Sequence, residues 1–305
     1  MLRDLKYYLH GRQCTSLGKF VFCRPRAGFN DNLAQVSKCL TYCLEYHRVL
    51  VVSNIRACQI KAFELYLEVI SCARKSISLR DSVKHILGNP SIFPGSLSWF
   101  ADDFVGVYSP ELKRHIDAAS GVVVTFEKQP YPHDILIHEQ CGGGPGWPTL
   151  ERLRFTPGAC RAIHETLQIL PDSYSSVHVR NTDLKTDCIE FFKSISSVID
   201  ATNPCLLCTD DPGVIGLARQ VMSHIQFLSL YPFPPNLNPS EPLHYSPKTK
   251  GWEFDIGMLS DLVAMARAEH LFIASGVNRV ISGFGALALD LHRRPHIVKR
   301  LMRGL

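Results

Sequence analysis

The chain lacks any long hydrophobic run, since no stretch approaches the roughly 20 apolar residues of a membrane-spanning helix. Its opening residues, Met1–Lys19, lack the apolar centre of a secretory signal peptide. No block of about five or six like charges occurs, of the kind found in nucleic-acid-binding tails and polybasic membrane anchors. These absences predict a soluble, cytoplasmic protein without a nucleic-acid partner.

Several motifs are also missing. The glycine-rich segment Gly142–Gly146 lacks the lysine and hydroxyl residue of a P-loop, and no Gly-x-Ser-x-Gly elbow of an α/β-hydrolase occurs. Cys205 and Cys208 form a lone CxxC, but a strand would point their sulfurs to opposite faces. His138 and Cys141 have no second ligand group at metal spacing. The sequence therefore predicts no metal site.

The composition favours a folded protein from a reducing compartment. Of the 305 residues, 46% are hydrophobic and 20% charged, which is enough to build a packed core. The net charge of +5 favours an anionic small molecule or an anionic membrane surface as a partner. The eleven cysteines are odd in number and scattered, with several in apolar stretches, which predicts few or no disulfides.

The hydrophobic periodicity alternates between strands and helices, which is typical of parallel α/β sheets. We predict two α/β domains, residues 1–150 and 151–305, joined near 142–156 with a cleft between them. Residues 55–86 are mostly helical in pattern, and 89–107 and 231–251 are predicted loops. The predicted strands are 19–23, 49–52, 122–126, 134–137, 176–179, 205–208, 226–229 and 270–274; the predicted helices are 33–46, 157–167, 187–199, 212–222, 256–268 and 282–291.

The most informative segment follows the strand at 176–179. Arg180, Asp183, Lys185 and Asp187 come just past its carboxyl end, where ligands bind in open α/β sheets. An arginine there can hold a phosphate bidentately, and a carboxylate can accept a proton. The alternative is a surface loop with solvated ion pairs.

Asp210 and Asp211 follow another apolar strand and precede Pro212. Adjacent carboxylates can bind a metal ion. They can equally cap a helix whose first residue is proline.

Two turns have the composition of phosphate-binding turns. Ser275, Gly276, Val277 and Asn278 follow a strand, where backbone amides can meet phosphate oxygens. The segment Gly28–Asn32, which contains Asn30, is a second candidate for binding phosphate through its backbone amides, and it lies beside Arg24 and Arg26. In both cases the alternative is an ordinary capped turn.

Asp261 lies on the apolar face of a predicted helix, among Leu259, Leu262 and Met265. A carboxylate in such a position needs a partner. Arg267 or a backbone amide could provide one, or the group could recognise a nucleotide base.

The segment His178–Asp183 resembles the His-Val-Arg-Arg-Thr-Asp motif of the α1,6-fucosyltransferases, which include the N-glycan core and rhizobial nodulation enzymes. Cys23–Asp31 looks like the family's first glycine loop, Thr209–Pro212 is similar to a second motif, and Asp261 with Leu271–Asn278 resembles a third. These pieces occur in family order over roughly residues 19–290.

The resemblance implies a GT-B-like fold with two Rossmann-like domains, no metal or other cofactor in catalysis, and GDP-β-L-fucose as donor, bound mainly by the C-terminal domain. The N-terminal domain is then the acceptor side. By position, Arg180 would hold the β-phosphate and stabilise departing GDP. His178 and Asp261 would contact the guanine and ribose, and Ser275 to Asn278 would line the pyrophosphate.

Two departures from the motif matter. Asn181 stands where the family has a second arginine, and Leu184 stands where it has a lysine, with Lys185 one place later. The sequence predicts an inverting fucosyltransferase acting on a glycan hydroxyl, with Asp187 as the first choice of base and Asp183 the second. The alternatives are a non-catalytic nucleotide or glycan binder, or a transferase with another sugar nucleotide.

Overall fold

The computed structural model describes residues 19–25, 27–52, 66–69, 90–95, 106–124, 127–140, 143–233, 243 and 251–303. The chain divides into two compact units, Met1–Thr156 and Pro157–Leu305, which we call the N-terminal and C-terminal units. Most of the predicted helical stretch 55–86 and of the predicted loops 89–107 and 231–251 lies outside the described residues, as does Arg26.

The N-terminal unit is built on a four-stranded parallel sheet. Its strand order is β2 (Val49–Val52), β1 (Phe20–Cys23), β7 (Ile135–His138) and β4 (Ile92–Phe93). Helix α1 follows β1, giving the predicted strand–helix–strand unit, and the sheet core includes Phe20, Val51 and Ile135. Two antiparallel pairs, β3 with β8 and β5 with β6, complete the described part. The elements are β1 Phe20–Cys23, α1 Phe29–Glu45, β2 Val49–Val52, β3 Leu67–Val69, β4 Ile92–Phe93, β5 Gly106–Ser109, β6 Arg114–Asp117, β7 Ile135–His138, α2 Trp147–Leu150 and β8 Leu153–Phe155.

The C-terminal unit has a second four-stranded parallel sheet. Its strand order is β11 (Phe227–Leu228), β10 (Cys205–Thr209), β9 (Ser175–Val179) and β12 (His270–Ile273). Its core packs the apolar residues of β9 and β10, such as Val177 and Leu207, against helices α4 and α5. The elements are α3 Pro157–Leu167, β9 Ser175–Val179, α4 Cys188–Ser196, β10 Cys205–Thr209, α5 Pro212–Val221, β11 Phe227–Leu228, α6 Trp252–Arg267, β12 His270–Ile273, α7 Gly283–His292 and α8 Pro295–Leu301. The predicted α/β class with parallel sheets is confirmed.

Three local predictions were wrong. Leu67–Val69 forms a strand against Leu153–Phe155 rather than a helix, because this pairing satisfies its backbone groups. Ile92–Phe93 lies in the sheet beside β7 rather than in a loop. Within 122–124, Val123 makes only an isolated bridge with Ile116.

Helix α1 begins at Phe29, four residues before the predicted start. Gly28 is its N-cap, and the carboxylate of Asp31 accepts a hydrogen bond from the Gly28 amide. This is the reciprocal arm of a capping box, which lets polar residues form the first turn. Among the described residues, no helix is both long and apolar enough to cross a bilayer.

Candidate functional site

Arg180 follows β9, a fully buried strand in the interior of the C-terminal sheet. Its Nε and Nη2 both lie 2.7 Å from Asp183 Oδ1, and Nε lies 3.1 Å from Asp210 Oδ2. The Arg180 side chain is 17% exposed and that of Asp183 is 47% exposed. Two carboxylates therefore fix the guanidinium at the carboxyl end of the strand, with some of its surface open to solvent.

Asp210, directly after β10, holds the loop that follows β9 in place through hydrogen bonds. It is buried and accepts hydrogen bonds from the Asn181 amide, at 2.7 Å, and from the Thr182 hydroxyl, in addition to its contact with Arg180. A buried carboxylate is stable when its oxygens have such donors. Asp210 is thus the internal support of Arg180.

Asp211 caps helix α5, as the capping alternative predicted. Its carboxylate accepts from the Gly213 amide at 2.8 Å, and Pro212 occupies the first turn. It also accepts from Asn181 Nδ2 at 2.8 Å. Asn181 therefore ties the β9 loop to α5.

Lys185 and Asp187 are both exposed, and both have local partners. Lys185 Nζ donates to the Asn181 carbonyl at 2.8 Å. Asp187 is the N-cap of α4 and accepts from the Glu190 amide at 3.0 Å. This bond uses one of the three donors of the ammonium group, which leaves two for a phosphate. Each predicted base, Asp187 and Asp183, already accepts a hydrogen bond from the protein.

His178 lies in β9 and is only 5% exposed. Its Nε2 is 3.1 Å from Ser282 Oγ, and its ring packs against Phe284 with centroids 5.8 Å apart. Burial lowers the pKa of His178 to about 4, so the ring is neutral at physiological pH. Because Ser282 caps α7, His178 anchors the start of that helix, and its small exposure leaves little surface for the predicted contact with guanine and ribose.

The turn after β12 differs from the prediction that its amides are open to phosphate. The Gly276 amide donates to Val280 O at 2.9 Å, and the Val277 amide donates to Lys185 O at 2.9 Å. Asn278 Oδ1 accepts from the Val280 amide at 3.1 Å. The amides of Gly276 and Val277 are thus used inside the protein, because the turn folds back on itself and onto the β9 loop.

The same turn packs tightly on Leu184. A Cβ at Gly276 would lie 2.6 Å from Leu184 Cδ1, so any larger residue would have to displace that side chain. Ser275 pairs with Ile281 in a short antiparallel bridge and is exposed, as Asn278 is. The side chains of Ser275 and Asn278 are the groups of this turn that can reach a ligand.

Asp261 lies on α6 and faces the buried thiol of Cys208, rather than Arg267 or a backbone amide. The residue keeps some solvent exposure, but its carboxyl is densely surrounded. Burial raises the pKa of Asp261 to about 7, and the hydrogen bond with Cys208 partly opposes this. A carboxyl in this state is typical of functional sites.

The expectation that Gly28 and Asn30 form an anion-binding turn disagrees with the structure. The Gly28 amide is bound by Asp31. Asn30 is buried and clamps the glycine segment, since Nδ2 donates to Gly144 O at 3.1 Å and Oδ1 accepts from the Gly146 amide at 3.0 Å. An acidic residue in the first turn disfavours an anion there.

Two features of the N-terminal unit were missed. The first is a cluster of Cys23, Cys39 and His138, whose ligand atoms all lie within 4.8 Å of one another. No sequence spacing signals it, because the three residues come from different elements; the pair considered from sequence was His138 with Cys141, which lies outside the described residues. The second is a cavity of about 440 Å³, whose polar lining includes Gln35, Ser37, Lys38, Thr41, Lys128, His138 and Gln140.

Neither a family model nor a curated protein matches the sequence. The structure is similar to crystal structures of the fucosyltransferase NodZ. The Bradyrhizobium protein is 13% identical, with 90% of this chain and 93% of that chain covered and a TM-score of 0.56. NodZ α-1,6-fucosyltransferase co-crystallised with GDP (13% identity, 90% and 92% covered, TM-score 0.55) and soaked with GDP-fucose (15%, 90% and 92%, 0.54) are also similar. The chain therefore shares the GT-B-like fold of NodZ.

Proposed function

We propose that the chain is a glycosyltransferase that moves L-fucose from GDP-fucose to a hydroxyl of a glycan acceptor, with inversion at the sugar carbon. The proposal is carried by Arg180, a partly exposed guanidinium fixed at the carboxyl end of an inner parallel strand. The shared fold supports it, because NodZ has been crystallised with GDP and soaked with GDP-fucose.

The donor phosphate competes with Asp183 for Arg180. Asp183 is 47% exposed, whereas Asp210 is buried. A β-phosphate can therefore replace the exposed carboxylate while Asp210 keeps the guanidinium oriented. Arginine suits this exchange because its planar fork binds phosphate bidentately.

In the transfer, an acceptor oxygen attacks the fucose carbon that bears the diphosphate. The carbon–oxygen bond to GDP breaks, its electrons go to the departing phosphate, and the acceptor proton passes to a carboxylate. We propose Asp187 as that base, with Asp183 as the second choice. Arg180, helped by Lys185, stabilises the charge that develops on GDP, and no metal takes part.

The rest of the donor lies along the carboxyl edge of the same sheet. Asp261, when ionised, accepts from guanine N–H groups, and His178 supports the site through Ser282 at the start of α7. Ser275 and Asn278 contact the pyrophosphate through their side chains. The amino end of α7 adds a partial positive charge that favours an anion.

The N-terminal unit is the acceptor side in this proposal. Its cavity of about 440 Å³ has the size of a small-ligand site. Amide, hydroxyl and lysine side chains in its lining can hydrogen-bond sugar hydroxyls.

We place the protein in the reducing cytoplasm, in agreement with its seven described cysteines, which are free thiols.

A second candidate is a nucleotide binder without transferase activity. The specific observation is that Asn181 is neutral and that its side-chain amide is bonded to Asp211 and Thr186. This position therefore supplies no cation to a leaving group. Binding and turnover separate the two candidates.

The test combines calorimetric titration of GDP with an assay of GDP-fucose hydrolysis and transfer. GDP binding with release of fucose supports the transferase, and binding without any turnover supports the binder. A thermal-shift panel of GDP, UDP and ADP sugars identifies the donor, because a ligand at about 100 times its dissociation constant stabilises the fold by about 2.7 kcal/mol. A response to UDP or ADP sugars alone would rule out GDP-fucose.

A further inference from the structure

Three metal-binding side chains meet in the interior of the N-terminal unit. Cys23 ends β1 and His138 ends β7, and the two residues are directly paired in the parallel sheet. Cys39 comes from α1. Paired residues of neighbouring strands point to the same face of a sheet, which explains how residues far apart in sequence converge.

We propose that Cys23, Cys39 and His138 bind one thiophilic divalent metal ion, with Zn²⁺ as its representative. The two sulfurs and a ring nitrogen lie within 4.8 Å of one another. A tetrahedral zinc ion with bonds of about 2.1–2.3 Å holds its ligand atoms roughly 3.4–3.8 Å apart. The three side chains reach this spacing by closing on the ion by little more than about an ångström.

The charge of the complex suits its surroundings. Two thiolates, a neutral imidazole and a divalent cation sum to zero, and a neutral group is the least costly to bury. The cluster is buried, at 0%, 0% and 4% exposure for Cys23, Cys39 and His138. The adjacent ions balance each other, since Arg24 Nη1 lies 3.5 Å from Glu139 Oε2.

The fourth position belongs to water or to a ligand from the cavity, because His138 also lines the 440 Å³ cavity. Zinc sites with three protein ligands keep one position for such a molecule.

The probe is Co²⁺, whose thiolate complexes absorb strongly, added to the reduced full-length protein and then displaced by Zn²⁺. We expect one ion per chain, and no thiolate–cobalt band in Cys23→Ala, Cys39→Ala or His138→Ala. Cys43→Ala is the matched control, because Cys43 is a buried cysteine one turn from Cys39 and lies outside the cluster. It should keep the band.

X-ray absorption of the zinc-loaded native chain tests the site without any substitution. Two sulfur neighbours at about 2.3 Å and a nitrogen at about 2.0–2.1 Å support the assignment. A shell of oxygen and nitrogen alone, a band that survives in both cysteine variants, no stoichiometric binding, or a Cys23–Cys39 disulfide in the freshly purified chain would each overturn it.

Discussion

The buried carboxylate of Asp210 contacts Arg180, with Oδ2 3.1 Å from the guanidinium Nε. The same carboxylate binds the amide of Asn181 and the hydroxyl of Thr182. One buried acid thus sets both the direction of the cation and the path of the loop around it.

Replacing Arg180 by lysine tests whether transfer needs the bidentate geometry of the guanidinium group or only its positive charge. Arg180→Lys keeps a cation beside Asp210 but loses the planar fork, so we expect transfer to fall by about 10²–10³, the usual effect of losing one contact to developing charge. The fold should survive, as thermal melting will show. Arg219→Ala, which removes an exposed arginine of α5, should leave the rate unchanged. Near-normal transfer by Arg180→Lys would contradict the proposed role.

Asp210→Asn should destabilise the protein by about 1–3 kcal/mol. The carboxylate now accepts hydrogen bonds from the Asn181 amide and the Thr182 hydroxyl, and the NH₂ group of asparagine would face one of these donors. The measurement is the free energy of unfolding from urea titration. Asp187→Asn is the control for stability, since Asp187 is an exposed N-cap and asparagine caps helices as well as aspartate does. Equal effects of the two substitutions would show that Asp210 has no special place in the loop.

Asp261 should make stability fall as the pH rises. Its pKa of about 7 exceeds the ordinary 3.8, so between these values the folded chain holds a proton that the unfolded chain has lost. The unfolding free energy of the native protein should therefore decrease toward neutrality relative to Asp261→Asn. Urea titrations of both proteins at about pH 5 and about pH 8 measure this difference. A constant difference would contradict the raised pKa.

GDP titrations of these two proteins test the proposed role of Asp261. If the carboxylate accepts from guanine, native GDP affinity should rise from about pH 6 to about pH 8, as the group ionises. Asp261→Asn should bind GDP more weakly and show a smaller rise, because only the ionisation of the terminal phosphate of GDP, with a pKa of about 6, then remains. Unchanged affinity in the variant would remove Asp261 from the donor site.

His178 should act in the opposite direction. Its pKa is lowered from 6.5 to about 4, so on acidification the unfolded chain takes up a proton that the folded chain excludes. The stability contribution is complete above about pH 6.5 and is lost as the pH falls toward 4. His178→Gln keeps a polar group near Ser282 but cannot titrate, so its stability should fall less between these values. The same acid sensitivity in both proteins would assign the effect to other groups.

Gly146→Ala should destabilise the N-terminal unit by about 1–3 kcal/mol, as overpacking does. A Cβ there would lie 2.8 Å from Asn30 Oδ1 and from Leu33 Cβ. Gly143→Ala is a matched control, because nothing lies within 4 Å of its added Cβ. Urea titration compares the two, and equal stability would show that the Asn30 clamp yields easily.

Local patterns predicted the local features well. The apolar run before Arg180 predicted β9, and Asp211 with Pro212 predicted the start of α5, because strand burial and helix capping depend on neighbouring residues. The period-based start of α1 was wrong because the cap formed by Gly28 and Asp31 adds a polar first turn.

Contacts between residues that are far apart in the chain could not be predicted from the sequence. The sequence predicted that the Gly276 and Val277 amides are open to a ligand, but the carbonyls of Val280 and Lys185 accept their hydrogen bonds. The partner of Asp261 is Cys208, from a strand more than fifty residues earlier. The convergence of Cys23, Cys39 and His138 depends on sheet register, which no spacing in the sequence encodes.

The tight approach of Leu184 to Gly276 has a dynamic consequence. The two loops are in close contact there, and the hydrogen bond from the Val277 amide to the Lys185 carbonyl also joins them. Capture of a ligand by one should drag the other with it, so opening and closing of this edge should be a single concerted event.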